Sequence, residues 1–345
     1  MLRFQQRHSR AAIEKSSRGD NLRTLVIALA ANGVITVAKL IAGIVSGSAA
    51  MLAEAAHSFA DCLNEVFLGI SLRRGLKPAD ASHPFGHGRE RFLWAFMAAI
   101  ASFLIGGCLS IALAIRQLQI GGKLHGAVYA WVVLLISFLA DGTSWLQSMR
   151  QARREAKERG HGVWKHLRRA SDPLVRAVVV EDSAALIGLA LAACGLLLSR
   201  IVGSSIPDSL ASLLIGVLLA LTAFGLARPL ADFLVGRSLA PEQVEELRAI
   251  LDQSPAIDEI VSLQVVYIGP EEVIVGAKIH PSSTLTIDEL TQAMDDVDHA
   301  LRAASPVVAD VFLDVTTYRA DGSGSVGQSI GDQEQEAKHS VPRSS

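Results

Sequence analysis

The chain has 345 residues, a formal charge of −2 and an apolar fraction of 50%. Its 28 glycines raise the apolar share to about 58%, and only 19% of residues are charged, whereas soluble domains hold about 45–50% apolar residues, glycine included, and about 25% charged ones. With a mean hydropathy of +0.35, these values exclude a disordered, collagen-like or disulfide-scaffold protein and count against a wholly soluble enzyme.

Residues 1–23 form a basic tail that opens without an apolar core segment, so no cleaved signal peptide is expected. Six apolar stretches follow, near 24–46, 49–72, 91–116, 125–149, 174–199 and 208–236. Phe92 to Ile115 runs 24 residues without a charge, and Ser209 to Ala227 runs 19. About 20 such residues cross a bilayer as a helix. None of the stretches alternates as a membrane strand would. Residues 24–236 therefore read as six transmembrane helices. Cys62, Cys108 and Cys194 lie within them and read as small core residues rather than bridges or ligands. Twenty Lys and Arg occupy the tail and the second-to-third and fourth-to-fifth connections, against three (Arg116, Lys123, Arg200) on the opposite side. That asymmetry places both termini in the cytoplasm. The nine Lys and Arg from Arg150 to Arg176 read as a solvated topogenic segment rather than a ligand site.

From Pro241 the pattern changes. Pro241 suits a first helical position, and Val244, Leu247, Ile250 and Leu251 share one face. Glu259 to Ile268 and Val273 to His280 read as strands around Gly269-Pro270. Thr286 and Glu289 make a capping box for a helix to about Ala304, and Val307 to Val315 is a third strand. The order αββαβ over 237–319 predicts one small α+β sheet with helices on one face. Residues 320–345 are polar and Gly/Ser-rich and are expected to be disordered.

Ionisable side chains inside a span are costly and are functional candidates by default. Glu54, His57, Asp61 and Asn64 are spaced 3, 4 and 3 and line one face of the second helix. An imidazole and a carboxylate at i, i+4 can grip one metal ion, with zinc favoured and Co, Mn or Fe(II) also served. Glu181-Asp182 opens the fifth span as a second acidic pair. The structural alternative for each pair is an interhelical polar contact that only holds the bundle together. Asp141, inside the fourth span, either carries protons or pairs with Lys39 or Arg116, the structural pair being favoured. Lys39 by default snorkels to the interface. The loop Pro78 to Arg89 holds Asp80, His83 and His87 within eight residues, where surface histidine and metal ligand are equally good readings.

Taken together, SAAMLAEAAHSFADCLNE (Ser48 to Glu65), HPFGHGRERF (His83 to Phe92), and VVVEDSAALIG (Val178 to Gly188) with DSLASLLIG (Asp208 to Gly216) resemble the cation diffusion facilitator family. The Glu-Asp form, with Ser171-Asp172-Pro173 upstream, is similar to its zinc-transporter-9-like branch. The resemblance implies a homodimer of six-helix protomers with a cytoplasmic ferredoxin-like αββαβ domain. It implies a secondary active transporter, not an enzyme, that exchanges a divalent metal substrate for protons, with no resident cofactor and no nucleic-acid partner. Zinc is the favoured substrate, with Mn, Fe(II) and Co open. The resemblance places the transport site at His57 and Asp61 on the second helix and Asp182 on the fifth. The other fifth-helix ligand falls on Val178, which cannot bind metal. Glu181 points about 100° from Asp182 on an ideal helix, so it replaces the missing ligand only if that helix is unwound or rotated. Asp80 and His87 match a second loop site of some members. Where some members bind metal in the αββαβ domain, this chain has Val261, Ala277 and Leu313, with His280 out of line, so that domain is expected mainly to dimerise. A bacterial inner membrane is the expected location. A non-transporting scaffold or heteromeric partner is the alternative, motivated by Val178. A carrier of organic cations ranks last, because aromatic residues make up only 5% of the chain.

Overall fold

The structure is a computed structural model that describes residues 26, 29–121, 127–158, 173–283 and 285–316. The expected basic tail, the end of the 150–176 connection and the C-terminal tail lie outside the described residues. The chain divides into two compact units that meet in sequence at Gly236 and Arg237.

The first unit is a helical bundle. Its helices are α1 (Leu29–Ser46), α2 (Ala49–Arg74), α3 (Glu90–Ile120), α4 (Ala127–Glu158), α5 (Pro173–Val202) and α6 (Ile206–Val235). Five of them, all but α2, are long and apolar enough to cross a bilayer on their own composition. α2 carries Glu54, Asp61 and Glu65 and falls short on apolarity, yet it packs among α3, α5 and α6. It is therefore a polar helix held inside an apolar bundle. A 30-residue helix such as α6 spans about 45 Å, enough to cross the hydrocarbon layer of about 30 Å.

The outward faces of the bundle are apolar: Ile41, Leu135, Leu139, Ile201 and Leu221 are each more than half exposed. A soluble protein rarely shows so large a continuous apolar surface. Lipid is the solvent that suits it. Cys108 and Cys194 belong to this outward surface, so the expectation that they are core residues is corrected. Their apolar sequence surroundings reflect lipid contact, not interior packing.

Small residues let the helices approach closely. A Cβ on Gly195 would lie 2.5 Å from the Ala211 Cβ, and one on Gly216 2.9 Å from the Ile111 backbone nitrogen. α3 contains a π-helical turn over Ser102–Cys108, and Gly107 within it lies against Ala220 of α6. Such insertions mark positions where a helix is re-aimed, often at functional sites.

The second unit follows the αββαβ order read from the sequence. It comprises α7 (Pro241–Asp252), β1 (Ile257–Gly269), β2 (Glu272–Pro281), α8 (Ile287–Ala304) and β3 (Val308–Val315). β1 and β2 form an antiparallel hairpin, and β3 joins β2 in parallel, giving the order β1-β2-β3. A parallel pair needs a crossover connection, which α8 supplies. The Thr286–Glu289 capping box is present. Leu247, Leu251, Val273, Val275, Ile279 and Leu301 form the buried core between helices and sheet.

Candidate functional site

The polar groups of the bundle concentrate on α2. At its start, Ser48 is the N-cap, with its hydroxyl accepting from the Met51 N–H. Asp208, from the first turn of α6, reaches the same end. Its Oδ1 accepts from the Ser48 hydroxyl at 2.6 Å, and its Oδ2 accepts from the backbone N–H groups of Ala49 at 2.7 Å and Ala50 at 3.4 Å. Gln117 of α3 closes the cluster, accepting from the Ala49 N–H and donating to the Gly47 carbonyl. The N-terminus of α2 is thus capped by a fully buried carboxylate from another helix, in the polarity that a helix dipole favours.

Further along, α1 and α2 share a polar seam. Lys39 donates to Glu54 Oε2 at 3.1 Å and to the Ser58 hydroxyl at 2.9 Å, with Asp141 Oδ2 of α4 4.0 Å away. Thr36 and Cys62 are in contact at 3.6 Å, and Asn32 donates to Glu65 Oε1 at 2.7 Å. Lys39 is 1% exposed. Its expected snorkelling is therefore corrected: Glu54 holds the ammonium inside, and the expected pairing with Asp141 is present.

Four atoms on one face of α2 are buried without a hydrogen-bond partner: Glu54 Oε1, His57 Nε2, Asp61 Oδ1 and Glu65 Oε2. Orphaned polar atoms are rare in native interiors and each demands an explanation. His57 and Asp61 stand side by side, with Nδ1 and Oδ1 3.8 Å apart. Glu181 of α5 faces them. Its Oε1 accepts from Asn64, three residues beyond Asp61, at 2.7 Å. Asp182 points elsewhere. Its Oδ2 accepts from Ser144 at 3.3 Å and Ser148 at 2.9 Å, both on α4. Of the two fifth-helix acids, Glu181 therefore looks toward the His57 pair and Asp182 toward α4. α5 is a continuous helix through this stretch, and of its two acids it is Glu181 that bonds to α2. Ser144 and Ser148 were not singled out in the sequence, although their i, i+4 spacing in an apolar span was the available signal.

The loop between α2 and α3 holds a second cluster. Asp80 Oδ2 and His87 Nε2 are 2.9 Å apart, and His87 Nδ1 is 2.8 Å from Glu90 Oε1. The Asp80 Oδ1 accepts from the Ser82 N–H and hydroxyl and from the His83 N–H. The Ser82 hydroxyl, the His87 ring and the His83 amide hold the Asp80 carboxyl well below the usual carboxylate range. Hydrogen bonds to Asp80 and Glu90 push the His87 ring above its ordinary 6.5, against a smaller effect of burial. Gly86 turns the loop with φ of +81°, a conformation favouring glycine. Asp80 and His87 come together, and the His83 ring, tilted 36° to that of His87 with centroids 4.1 Å apart, joins them.

Among the described residues, Asp80, His83 and His87 are the one group of three whose donor atoms all lie within 4.8 Å of one another. The donors of His57, Asp61 and Glu181 stand farther apart, so a shared ion there needs the α2 and α5 side chains to draw in. Nitrogen and carboxylate donors of both clusters suit a borderline divalent cation such as zinc.

Comparison with known proteins identifies the family. The chain is 29% identical over 247 residues to the human "Proton-coupled zinc antiporter SLC30A9, mitochondrial", covering 72% of this chain and 44% of that protein. It is 31% identical over 225 residues to "Metal tolerance protein C4" of Arabidopsis thaliana, covering 65% and 49%. It is 26% identical over 250 residues to the "Manganese efflux system protein MneP" of Bacillus subtilis (strain 168), covering 69% and 77%. The chain thus spans about half the length of the first two. Residues 25–235 match the family model described as the cation efflux transmembrane domain, and the chain belongs to the cation diffusion facilitator family, resembling its zinc-transporter-9-like branch.

Proposed function

We propose that the protein is a proton-coupled antiporter of divalent metal ions, with zinc as its preferred substrate and Mn, Fe(II) and Co as competitors. The observation that carries this reading is the unpartnered, buried pair of His57 Nε2 and Asp61 Oδ1 within the apolar bundle, with Glu181 of α5 bonded to Asn64 on the same face of α2. Unpaired acceptors in an apolar bundle are expensive unless they serve an ion. Metal binds the deprotonated ring and carboxylates, so loading releases protons and protonation releases metal. Histidine suits this exchange because it titrates near neutral pH. His57, Asp61 and Glu181 form the transport site in this reading. Asp182 supports α5 through Ser144 and Ser148. Asp80, His83 and His87 form a second site at the loop.

The protein works as a homodimer with both termini in the cytoplasm, in keeping with its charge asymmetry. The relatives carry zinc and manganese in their names, which supports a divalent substrate; a bacterial inner membrane is the proposed location. The test is reconstitution of the full chain in vesicles with an imposed pH gradient and a panel of metals. Zinc flux should follow the gradient and reverse with it. H57A and D61A should abolish flux, and E181Q should damage it more than D182N. Flux unchanged in H57A or D61A refutes the assignment. A folded dimer that moves no metal supports the scaffold reading instead, which the wide spacing of the intramembrane donors would then explain.

A further inference from the structure

One buried charge has no part in that cycle. Lys39 of α1 is the most thoroughly enclosed Lys or Arg among the described residues, 1% exposed, and bonds Glu54 and Ser58 of α2 with Asp141 of α4 at 4.0 Å. Its reach extends beyond those partners. Glu54 stands three residues before His57 on α2 and Ser58 three residues before Asp61, so the ammonium is held about one helical turn from both donors. Glu54 shares the α2 face of His57, and its second oxygen, Oε1, has no partner. That oxygen points at Gly188 of α5, where a Cβ would lie 2.5 Å from it. Five acids, Glu54, Asp61, Asp141, Glu181 and Asp182, lie on the membrane helices around this region, and Lys39 is the fixed cation among them.

A divalent ion entering such a centre feels both the acids and the ammonium. Five free carboxyls would hold it too tightly to release it. A tethered positive charge lowers the affinity and offers the acids a partner once the ion has gone. We propose that Lys39 is a built-in counter-ion of the transport site, engaging Glu54 and Asp141 while the metal is bound and neutralising Asp61 after it leaves, so that it weakens binding and speeds release. Lys39 is a positioning residue: it touches the acids and never the metal. The inference rests on the transport-site reading above.

The sign of two substitutions tests it. Co2+ is titrated into the full chain in detergent, in a D80A/H87A background that removes the loop site, and followed by its visible absorption. K39Q should bind Co2+ about tenfold more tightly, the order expected for removing one nearby charge in a partly polar interior. E54Q, which frees the lysine to lean on Asp61, should bind about tenfold more weakly. K39R, which keeps the charge, should match the parent. In vesicles K39Q should lower KM and turnover together, a split that loss of packing would not produce. If K39Q does not fold, E54Q and D141N carry the same test, because both leave the lysine in place and both should weaken binding. Affinity that is unchanged in E54Q, or that falls in K39Q as it does in E54Q, overturns the counter-ion role. A parent that binds no Co2+ overturns the transport-site reading itself. A parent whose binding is lost in H57A but unmoved by K39Q overturns only the role of Lys39.

Discussion

Substituting Asp208 by alanine removes the acceptor that α6 gives to the start of α2. Two short bonds are lost, from the Ser48 hydroxyl at 2.6 Å and the Ala49 N–H at 2.7 Å, with a weaker one from Ala50 at 3.4 Å. Gln117 still accepts from Ala49 at 2.8 Å, so that amide keeps a partner. Hydrogen bonds to charged groups contribute about 1.5–3 kcal/mol each, and an anion at a helix N-terminus adds up to about 2 kcal/mol when partly buried. With the Ala49 loss discounted, D208A should cost about 3 kcal/mol. For a domain of this size that lowers Tm by about 6–12 °C. The competing expectation is smaller, because hydrogen bonds between membrane helices average about 0.6 kcal/mol. Those averages describe side chains that find new partners in the unfolded bundle. A helix N-terminus fixed at Ser48 has fewer alternatives. Thermal unfolding in detergent, followed by circular dichroism, decides between them. D208N, which keeps one acceptor oxygen, should lose about half as much. A D208A loss below about 1 kcal/mol would refute the capping argument.

Other outcomes follow from the geometry. G188A should disturb Glu54 specifically, because the new Cβ would lie 2.5 Å from Oε1; transport should fall several-fold while Tm moves little, and an unaffected flux would show that Glu54 has room to move. At the loop, His87 is raised above 6.5 by its bonds to Asp80 and Glu90. The stability it contributes is complete below pH 6.5 and is lost as pH rises through the folded value. Metal needs the neutral ring, so zinc affinity of an H57A/D61A variant should climb over that same interval, and calorimetry showing no pH dependence would exclude His87 as a ligand. T286A breaks the capping box at α8 and should cost about 1 kcal/mol in the unfolding of the full chain; no measurable change would mean that α8 is held by its core contacts alone.

How much of this was legible in the sequence depends on the kind of information involved. Helix positions followed from long uncharged runs, and the αββαβ order from periodicity and the Thr286–Glu289 signature. Candidate donors on α2 followed from helical spacing, because 54, 57, 61 and 64 share a face on any helix. What did not follow was how α5 is turned. Residue spacing puts Glu181 and Asp182 about 100° apart without saying which meets α2. That azimuth comes from packing, where Gly195 admits Ala211 of α6 and Trp145 of α4 donates to Ser183. Glu54 as the nearer partner of Lys39 was similarly hidden: spacing suggested Asp141, but the lysine otherwise reads as reaching for water until Glu54 is seen beside it. Asp208 was visible only as part of a motif; its hydrogen bonds to α2 span about 160 residues of chain, a separation that local rules do not cross.

The clasp of Ser48 by Asp208 also governs where the bundle can yield. Parting α2 from α6 at that end would strand a carboxylate and the amides it serves in hydrocarbon, so that end behaves as a fulcrum. At the other end of α6 the tie, to α3, is softer. Phe92 stacks on Phe233 with ring centroids 4.7 Å apart, an apolar contact that can slide, and Asp80 and His87 lie in the loop beside it. Any parting of α2 from α6 would therefore turn about Ser48 as a lever turns about its pin, with the largest displacement at the loop end that carries Asp80 and His87.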